Sequence, residues 1–217
     1  MKTSIFLYLP LIFLFSCKKE YVTNVYPTST ITVSGSTEPM FHFSLATGNY
    51  WIFREQEVDG LGNVQQVTAT DSTVITGDTL INNLNYKIKK TYHLTGSSVY
   101  PSTYSTRYLM DSLGFIVDAN GNYFDQSDFT TIYHYVVTGF NAEAQLVRLN
   151  NMVFVPSGWF NSIDLQRKFF PADPNYQYGT RMTHEMYADT VGLFRLTFLY
   201  YSNPNSFERI LIRYHIN

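Results

Sequence analysis

Residues 193–216 read LFRLTFLYYSNPNSFERILIRYHI, and this stretch decides the fold class. Apolar side chains recur at every second position on both sides of the turn sequence Asn203-Pro204-Asn205. The two apolar rows are Phe194, Leu196, Phe198 and Tyr200 in the first arm, and Ile210, Ile212, Tyr214 and Ile216 in the second. A period of two is typical of β-strands. The stretch therefore predicts a terminal β-hairpin that holds down the C-terminus.

The same alternation extends upstream to about Phe41, and turn sequences interrupt it at short intervals. These turn sequences are residues 59–63, Gly77-Asp78, Asn82-Asn83, residues 111–114 and Asn120-Gly121. Asn120-Gly121 is the strongest of them, because Asn and Gly tolerate the positive φ of a type I′ turn, and it predicts a hairpin with Tyr123-Phe124. The sequence thus predicts an all-β fold, an antiparallel curved sheet of about ten strands that closes into a barrel or a sandwich.

Two segments need separate treatment. Residues 129–138 carry apolar or amphipathic side chains on both sides of the predicted strand, which favours a central position in the sheet. Residues 141–150 are the best helix candidate in a chain with little helix, because Ala, Glu, Gln and Leu have good helix propensity. Val147 and Leu149 also fit a strand, so an extended or irregular structure is the alternative.

Composition limits the classes of function. Charged residues make up only 15% of the chain, whereas aromatic residues reach 17% through 18 tyrosines and 17 phenylalanines. Such residues suit a pleated, half-buried surface. The net charge of −2, with no basic block, argues against nucleic acid as a partner. Cys17 is the only cysteine, so the predicted single domain, residues 41–217, holds no disulfide.

The N-terminus has the layout of a secretory signal: Lys2, an apolar run over residues 5–15, and the small residue Ser16. The sequence Leu14-Phe15-Ser16-Cys17 resembles the lipobox of bacterial lipoproteins. That resemblance implies that residues 1–16 form a signal peptide that is removed, and that Cys17 carries acyl chains. Two or more chains would anchor the protein firmly to a membrane.

Residues 17–20, Cys-Lys-Lys-Glu, look like the start of lipoproteins from Bacteroidota. Lys18 stands where an aspartate would favour retention in the inner membrane, so the resemblance implies the outer membrane, with the leaflet undecided. Residues 17–40 are rich in Ser, Thr, Val and Pro, which predicts a tether. The sequences at 48–51 and 187–193 are similar to an opening segment and a late hairpin of secreted lipoproteins of unknown activity.

Standard catalytic signatures are missing from the sequence. His184-Glu185 begins like a zincin motif, but Ala188 stands where the second histidine ligand would be. No catalytic residues and no cofactor are therefore predicted, and an enzymatic role is not favoured. A hydrolase would need one of His93, His134, His184 or His215 to meet a carboxylate in a pocket.

Two constellations have both a metal interpretation and a structural one. Residues 118–122 and Asp125 offer oxygen ligands at alternate positions, as calcium loops do, but a hairpin turn explains the same residues better. Met182, His184 and Met186 fall on one side of a predicted strand. Thioether and imidazole ligands suit Cu(I), whereas the alternative is a core-facing row with one hydrogen-bonded histidine.

Three functions remain open. The leading hypothesis is a lipid-anchored cell-envelope binding module, with a concave face lined by Tyr and Phe for a small molecule or glycan. The second is an interaction or assembly subunit of an envelope complex, which predicts an exposed apolar patch or a long unpaired edge strand. The third is a secreted hydrolase.

Overall fold

The computed structural model describes residues 44–96, 104–112, 115–119, 123–124, 129–137, 139–200 and 202–217. The predicted signal peptide, Cys17 and the tether lie outside these residues. The strands are β1 (Tyr50–Val58), β2 (Val64–Ile81), β3 (Leu84–Gly96), β4 (Tyr104–Ser112), β5 (Phe115–Asp118), β6 (Tyr123–Phe124), β7 (Tyr133–Val137), β8 (Phe140–Arg148), β9 (Val153–Val155), β10 (Gly158–Phe160), β11 (Ile163–Pro171), β12 (Arg181–Ala188), β13 (Gly192–Leu199) and β14 (Ser206–His215).

Twelve of the strands form one antiparallel sheet in the order β6-β5-β4-β3-β2-β1-β14-β13-β12-β11-β8-β7. The other two, β9 and β10, form a separate ribbon. The predicted all-β antiparallel fold is confirmed, with fourteen strands in the described residues where about ten were expected. The described parts of β6 and β7 do not pair, so the sheet is open and curved, and the closed barrel is wrong. In the described part of the chain, no apolar helix is long enough to cross a membrane.

The centre of the sheet joins the two ends of the described chain. β1 pairs with β14 along its whole length, from Tyr50 opposite His215 to Val58 opposite Ser206. β13 and β14 form the predicted terminal hairpin, which is confirmed. This hairpin therefore lies in the middle of the sheet, where its strands are paired on both sides.

A β-bulge changes which side chains of β14 share a face. Trp51 lies opposite Tyr214, whereas Phe53, two residues later, lies opposite Leu211, so Ile212 is an extra residue on β14. A bulge of this kind shifts the alternation of the strand by one position. The predicted apolar row from 210 to 216 is therefore wrong, because its members on either side of the bulge point to opposite faces.

Several predicted turns are present. Asn82 and Asn83 have φ angles of 51° and 63°, and Ile81 pairs with Leu84 across them, as in a type I′ turn. In the turn at 59–63, the Asp59 carboxylate accepts hydrogen bonds from the backbone of the loop. β5 and β6 form the predicted hairpin, although its turn residues, Asn120 and Gly121, lie outside the described residues.

The expected turn at Gly77 is wrong, because β2 continues through this position. The register of β2 against β3 shifts between Ile75 and Gly77, so the glycine marks a bulge. Gly77 has a φ of 155°, a conformation in which a side chain would be strained.

The helix expected at 141–150 is wrong as well, because most of this segment belongs to β8, between β7 and β11. Burial alternates along the strand, with Phe140, Ala142, Ala144 and Leu146 buried. Pairing on both sides overrides the local helix propensity. The segment expected to be a central strand is β7, an edge strand whose Val136 is exposed.

The main hydrophobic core lies where the ribbon packs against the centre of the sheet. It consists of Trp51, Phe53, Ile75, Val155, Phe160, Met186, Ala188, Val191, Phe194 and Leu211. The Phe160 ring of the ribbon lies 5.0 Å from that of Phe194, measured between centroids. The face of the sheet that carries Trp51 and Phe53 is called the core face below, and the ribbon covers one end of it.

Candidate functional site

A row of buried charged side chains continues the core face beyond the apolar core. Glu55 follows Phe53 by two residues on β1 and is fully buried. Glu55 lies opposite Arg209, Arg209 lies opposite Leu196, and Leu196 lies opposite Glu185 on the next strand. Directly opposed residues of an antiparallel sheet point to the same side. Charged groups of three central strands, β1, β14 and β12, therefore share one face.

Asp71 and His93 form a hydrogen-bonded pair next to this row. Asp71 lies opposite Phe53 on β2, and His93 lies opposite Asp71 on β3. The distance between Asp71 Oδ1 and His93 Nδ1 is 2.8 Å, and Asp71 is only 3% exposed. Arg209 Nη2 lies 3.6 Å from the other carboxylate oxygen, and its guanidinium stacks 4.4 Å from the centroid of the Phe53 ring. The buried carboxylate is thus held between two basic groups.

Three basic side chains, Lys89, Arg107 and Arg209, form what is called the cationic cluster below. Lys89 lies opposite Ile75 on one side and opposite Arg107 on the other. Burial, together with the charges of Arg107 and Arg209, lowers the pKa of Lys89 to about 7. Like charges directly opposite each other on neighbouring strands destabilise a sheet. A bound anion would relieve this repulsion.

Two hydroxyl groups lie between the Asp71–His93 pair and the cationic cluster. Thr73 and Thr91 lie opposite each other, two residues along from Asp71 and His93, with 3.1 Å between their Oγ1 atoms. Thr91 also precedes His93 and follows Lys89 by two residues on β3, so all three share a face. The site can therefore offer hydroxyl, imidazole and cationic donors to an oxygen-rich ligand.

A buried ion pair on the same row lies on β11 and β12. Arg167 Nη1 is 2.5 Å from Glu185 Oε1, and both side chains are buried. The hydroxyl of Tyr187 donates a hydrogen bond of 2.8 Å to Glu185 Oε2. Burial raises the pKa of Tyr135, which lies beside this pair. Since each charged oxygen of Glu185 has a donor, the pair is well suited to a structural role.

The four histidines singled out in the sequence have different surroundings. His93 meets Asp71, and His184 Nδ1 lies 2.7 Å from Asp164 Oδ2. His134 lies 3.6 Å from Glu143 at an exposed position, and His215 bonds to Asn217. The histidine–carboxylate contact that a hydrolase requires therefore occurs twice in buried surroundings, once on each half of the sheet.

The candidate copper ligands lie along β12 in order of increasing burial. Met182 is 37% exposed, His184 is partly buried, and Met186 belongs to the core and is 8% exposed. Within the described residues, no three His, Cys, Asp or Glu side chains approach each other closely enough to hold a metal ion. The copper hypothesis stays a prediction. Of the calcium candidate, residues 120–122 and Asp125 lie outside the described residues.

The two tryptophans have opposite environments. Trp51 is buried, and its Nε1 donates a hydrogen bond of 2.8 Å to the carbonyl of Val191. This hydrogen bond joins segment 48–51 to segment 187–193. Trp159 is 63% exposed and packs against Phe154 on the ribbon, with 5.0 Å between ring centroids. Only Trp159 is therefore available to stack on a ligand.

The sequence did not lead to the residues of the cationic cluster. The binding hypothesis expected Tyr and Phe on a concave face, whereas the core face carries charged groups beyond its apolar core. Arg209 precedes Ile210, so the predicted apolar row from 210 to 216 places it on the opposite face, whereas the bulge at Ile212 brings it to the face of Phe53 and Tyr214. The low charge content was a usable signal, because in such a chain a Lys or Arg within an apolar strand is unusual.

The chain matches no protein-family model and no curated protein sequence. Two solved structures are similar to it. One is a candidate lipoprotein from Parabacteroides distasonis, with a TM-score of 0.47 and 12% identity, over 81% of this chain and 98% of that chain. The other is a candidate exported protein with a YmcC-like fold from Bacteroides fragilis, with a TM-score of 0.46 and 12% identity, over 81% of this chain and 99% of that chain.

Proposed function

We propose that this protein is a lipid-anchored binding module of the bacterial cell envelope, and that its ligand is a small molecule with a carboxylate, phosphate or sulfate group. The ligand binds at the cationic cluster of Lys89, Arg107 and Arg209. The observation that carries the proposal is the placement of Lys89 directly opposite Arg107, on the face that Arg209 also reaches.

The energetics of the cluster support an anionic ligand. Burying Lys89, and holding it near two guanidinium groups, costs stability, and a pKa of about 7 reflects that cost. Arginine suits planar oxyanions because its fork of donors matches their geometry.

Sulfate is a suitable probe, because its charge does not change near neutral pH. We expect wild type to bind sulfate at low ionic strength, and Lys89→Met and Arg107→Met to weaken binding by about tenfold or more, since each removes one charge-assisted contact. Isothermal titration calorimetry measures these affinities. Lys168→Met is the matched control, because Lys168 is an exposed cation on β11.

The pH dependence provides a second test of the same site. A bound anion stabilises the charged form of Lys89, so sulfate affinity should fall as the pH rises above about 7. In Lys89→Met this fall should disappear. An equal loss of binding in Lys168→Met, or affinities that are the same in all variants, would contradict the proposed site.

The location in the envelope depends on Cys17. We expect the mature protein to begin at Cys17 with acyl chains attached, and Cys17→Ala to release it from the membrane. Intact mass and membrane fractionation measure both effects. An unmodified mass with both forms soluble would remove the anchor, and protease treatment of whole cells would distinguish the two leaflets.

A second candidate function is an assembly subunit, and the exposed Phe154–Trp159 pair on the ribbon favours it. Exposed aromatic side chains are common at protein interfaces. A photo-crosslinking residue at position 159 should then capture one defined partner in cells, whereas the same residue at Leu61, in the exposed loop between β1 and β2, should not. Identical crosslinking at both positions would argue against an interface on the ribbon.

A further inference from the structure

The ribbon of β9 and β10 presents one apolar side to solvent. Val155 and Phe160 belong to the core, whereas Phe154 and Trp159 lie opposite each other and are 59% and 63% exposed. Met152, just before β9, is 51% exposed. Neighbouring exposed apolar side chains of this kind mark surfaces that contact a partner or a membrane. The outer side of the ribbon is therefore a candidate contact surface.

The segment that contains the ribbon carries no charge. Residues 149–163 include no Asp, Glu, Lys, Arg or His, although charged residues make up 15% of the chain. Moving a charged side chain out of water is costly, so an uncharged surface suits the boundary between lipid headgroups and acyl chains. Tryptophan is enriched at this boundary because its ring is apolar while its Nε1 can still donate a hydrogen bond. The composition of the ribbon thus favours lipid as the contact.

The ribbon lies at the end of the sheet where the predicted tether joins the folded domain. Leu45, near the start of the described residues, packs against the same core cluster as Phe160 of the ribbon. The Phe160 ring also lies 6.0 Å from that of Tyr214, near the end of β14, measured between centroids. Residues 17–43 connect Cys17 to this end. An acylated Cys17 would therefore keep this end of the domain close to the membrane.

We propose that Phe154 and Trp159 dock onto the membrane that anchors the protein, with both rings at the level of the lipid headgroups. This inference rests on the lipid anchor of the proposed function and does not depend on the anionic ligand. The anchor confines the domain to within reach of the tether, so a weak affinity of two aromatic rings is sufficient. Docking through the ribbon then sets the orientation of the sheet relative to the membrane.

The test uses the mature chain, residues 17–217, with Cys17→Ala, so that no acyl chain contributes. Flotation with phosphatidylcholine vesicles measures its partition coefficient. Phe154→Ser and Trp159→Ser should each lower this coefficient by about tenfold or more, because each removes one aromatic ring from the contact. Leu61→Ser is the matched control and should leave it unchanged. Leu61 is 89% exposed in the loop that follows β1, at the opposite end of that strand.

Tryptophan fluorescence reports the contact directly, since the chain has only two tryptophans and Trp51 is buried. Phosphatidylcholine brominated in its acyl chains should quench the emission of Trp159 in the bound protein. Trp159→Phe keeps an aromatic ring, so vesicle binding should persist in this variant while the quenching disappears. Lys89→Met should bind vesicles like wild type, because the cationic cluster is not part of the contact.

Three results would overturn the proposal. The first is an equal partition coefficient in wild type and both serine variants, and the second is emission of Trp159 that bromine does not quench in the bound protein. The third is a chain that does not bind vesicles while a crosslinker at position 159 captures one defined protein. The intact mass at Cys17 tests the anchor separately, so failure of the anchor and failure of docking are distinguishable.

Discussion

The two histidine–aspartate pairs have nearly the same internal geometry and very different surroundings. Their Nδ1–Oδ distances are 2.8 Å for His93–Asp71 and 2.7 Å for His184–Asp164, and both aspartates are buried. Asp71 has Arg209 beside it and the cationic cluster nearby. Asp164 has a neutral amide as its other partner, and methionines flank its histidine.

The comparison shows that the neighbouring side chains, and not the histidine–aspartate contact itself, determine the electrostatic surroundings of each pair. Cations around the first pair repel a metal ion and attract an anion. At the second pair the carboxylate contacts an amide and an imidazole, and Met182 and Met186 flank the imidazole along the strand. The same two residue types therefore have different neighbours at two places on one sheet.

The largest expected effect comes from removing the two carboxylates one at a time. Asp71→Asn should lower the free energy of unfolding by about 3 kcal/mol, because it removes a buried negative charge that lies between Arg209 and His93. Asp164→Asn should lower it by only about 1 kcal/mol, because the partners of this carboxylate are an amide and an imidazole and no guanidinium of the described residues donates a hydrogen bond to it. Urea denaturation at pH 7 measures both values. Equal losses would mean that the surroundings of the two pairs do not differ in energy.

The next effect has the opposite sign. Lys89→Met should raise the free energy of unfolding by about 2 kcal/mol at pH 6, after allowance for the partial exposure of the side chain. Below about pH 7 Lys89 is charged in both states, and the folded state carries the full cost of its burial. As the pH rises from about 7 towards 10.5, only the unfolded state keeps the proton, so the native chain gains stability and the advantage of the variant disappears.

Denaturation curves of wild type and Lys89→Met between pH 6 and pH 10 provide this comparison. Lys168→Met, at an exposed position, should change stability little at any pH. A benefit of Lys89→Met that grows with pH would contradict the direction of the pKa shift.

The smallest effect concerns the hydroxyl pair next to Asp71. Thr73→Val should cost about 1 kcal/mol, because it leaves the Thr91 hydroxyl without its cross-strand partner. The double change Thr73→Val and Thr91→Val should cost less than the sum of the single changes, since both polar groups are then removed. A double-mutant cycle by thermal unfolding measures the coupling. Additive losses would show that the two hydroxyls do not depend on each other.

Local patterns were sufficient to predict much of the sheet. The Asn82-Asn83 turn and the terminal hairpin depend on neighbouring residues, and alternation is visible within each strand. Residues 141–150 are the best helix candidate in the sequence because Ala, Glu and Gln favour helix locally, although Val147 and Leu149 also fit a strand. The partners of this segment, β7 and β11, come from other parts of the chain, and their pairing overrides that preference.

The candidate sites could be predicted only where one strand supplies the residues. Met182, His184 and Met186 lie on a single strand, so their common side follows from the period of two. Asp164, which orients the histidine, comes from β11 and required the register of the sheet. The cationic cluster draws on β3, β4 and β14, and the bulge at Ile212 reverses the face expected for Arg209. Neither fact is visible in a linear sequence.

The pairing of β1 with β14 also limits when the core can fold relative to the rest of the chain. These strands are about 150 residues apart in sequence but adjacent in the sheet, and the buried side chains of both contribute to one core. Contacts of such long range form late and slow folding. A chain emerging from a ribosome or a secretion channel must expose nearly all of its length before the core can close. We expect the nascent protein to remain unfolded until its last strand is free, a state that suits export through a narrow pore.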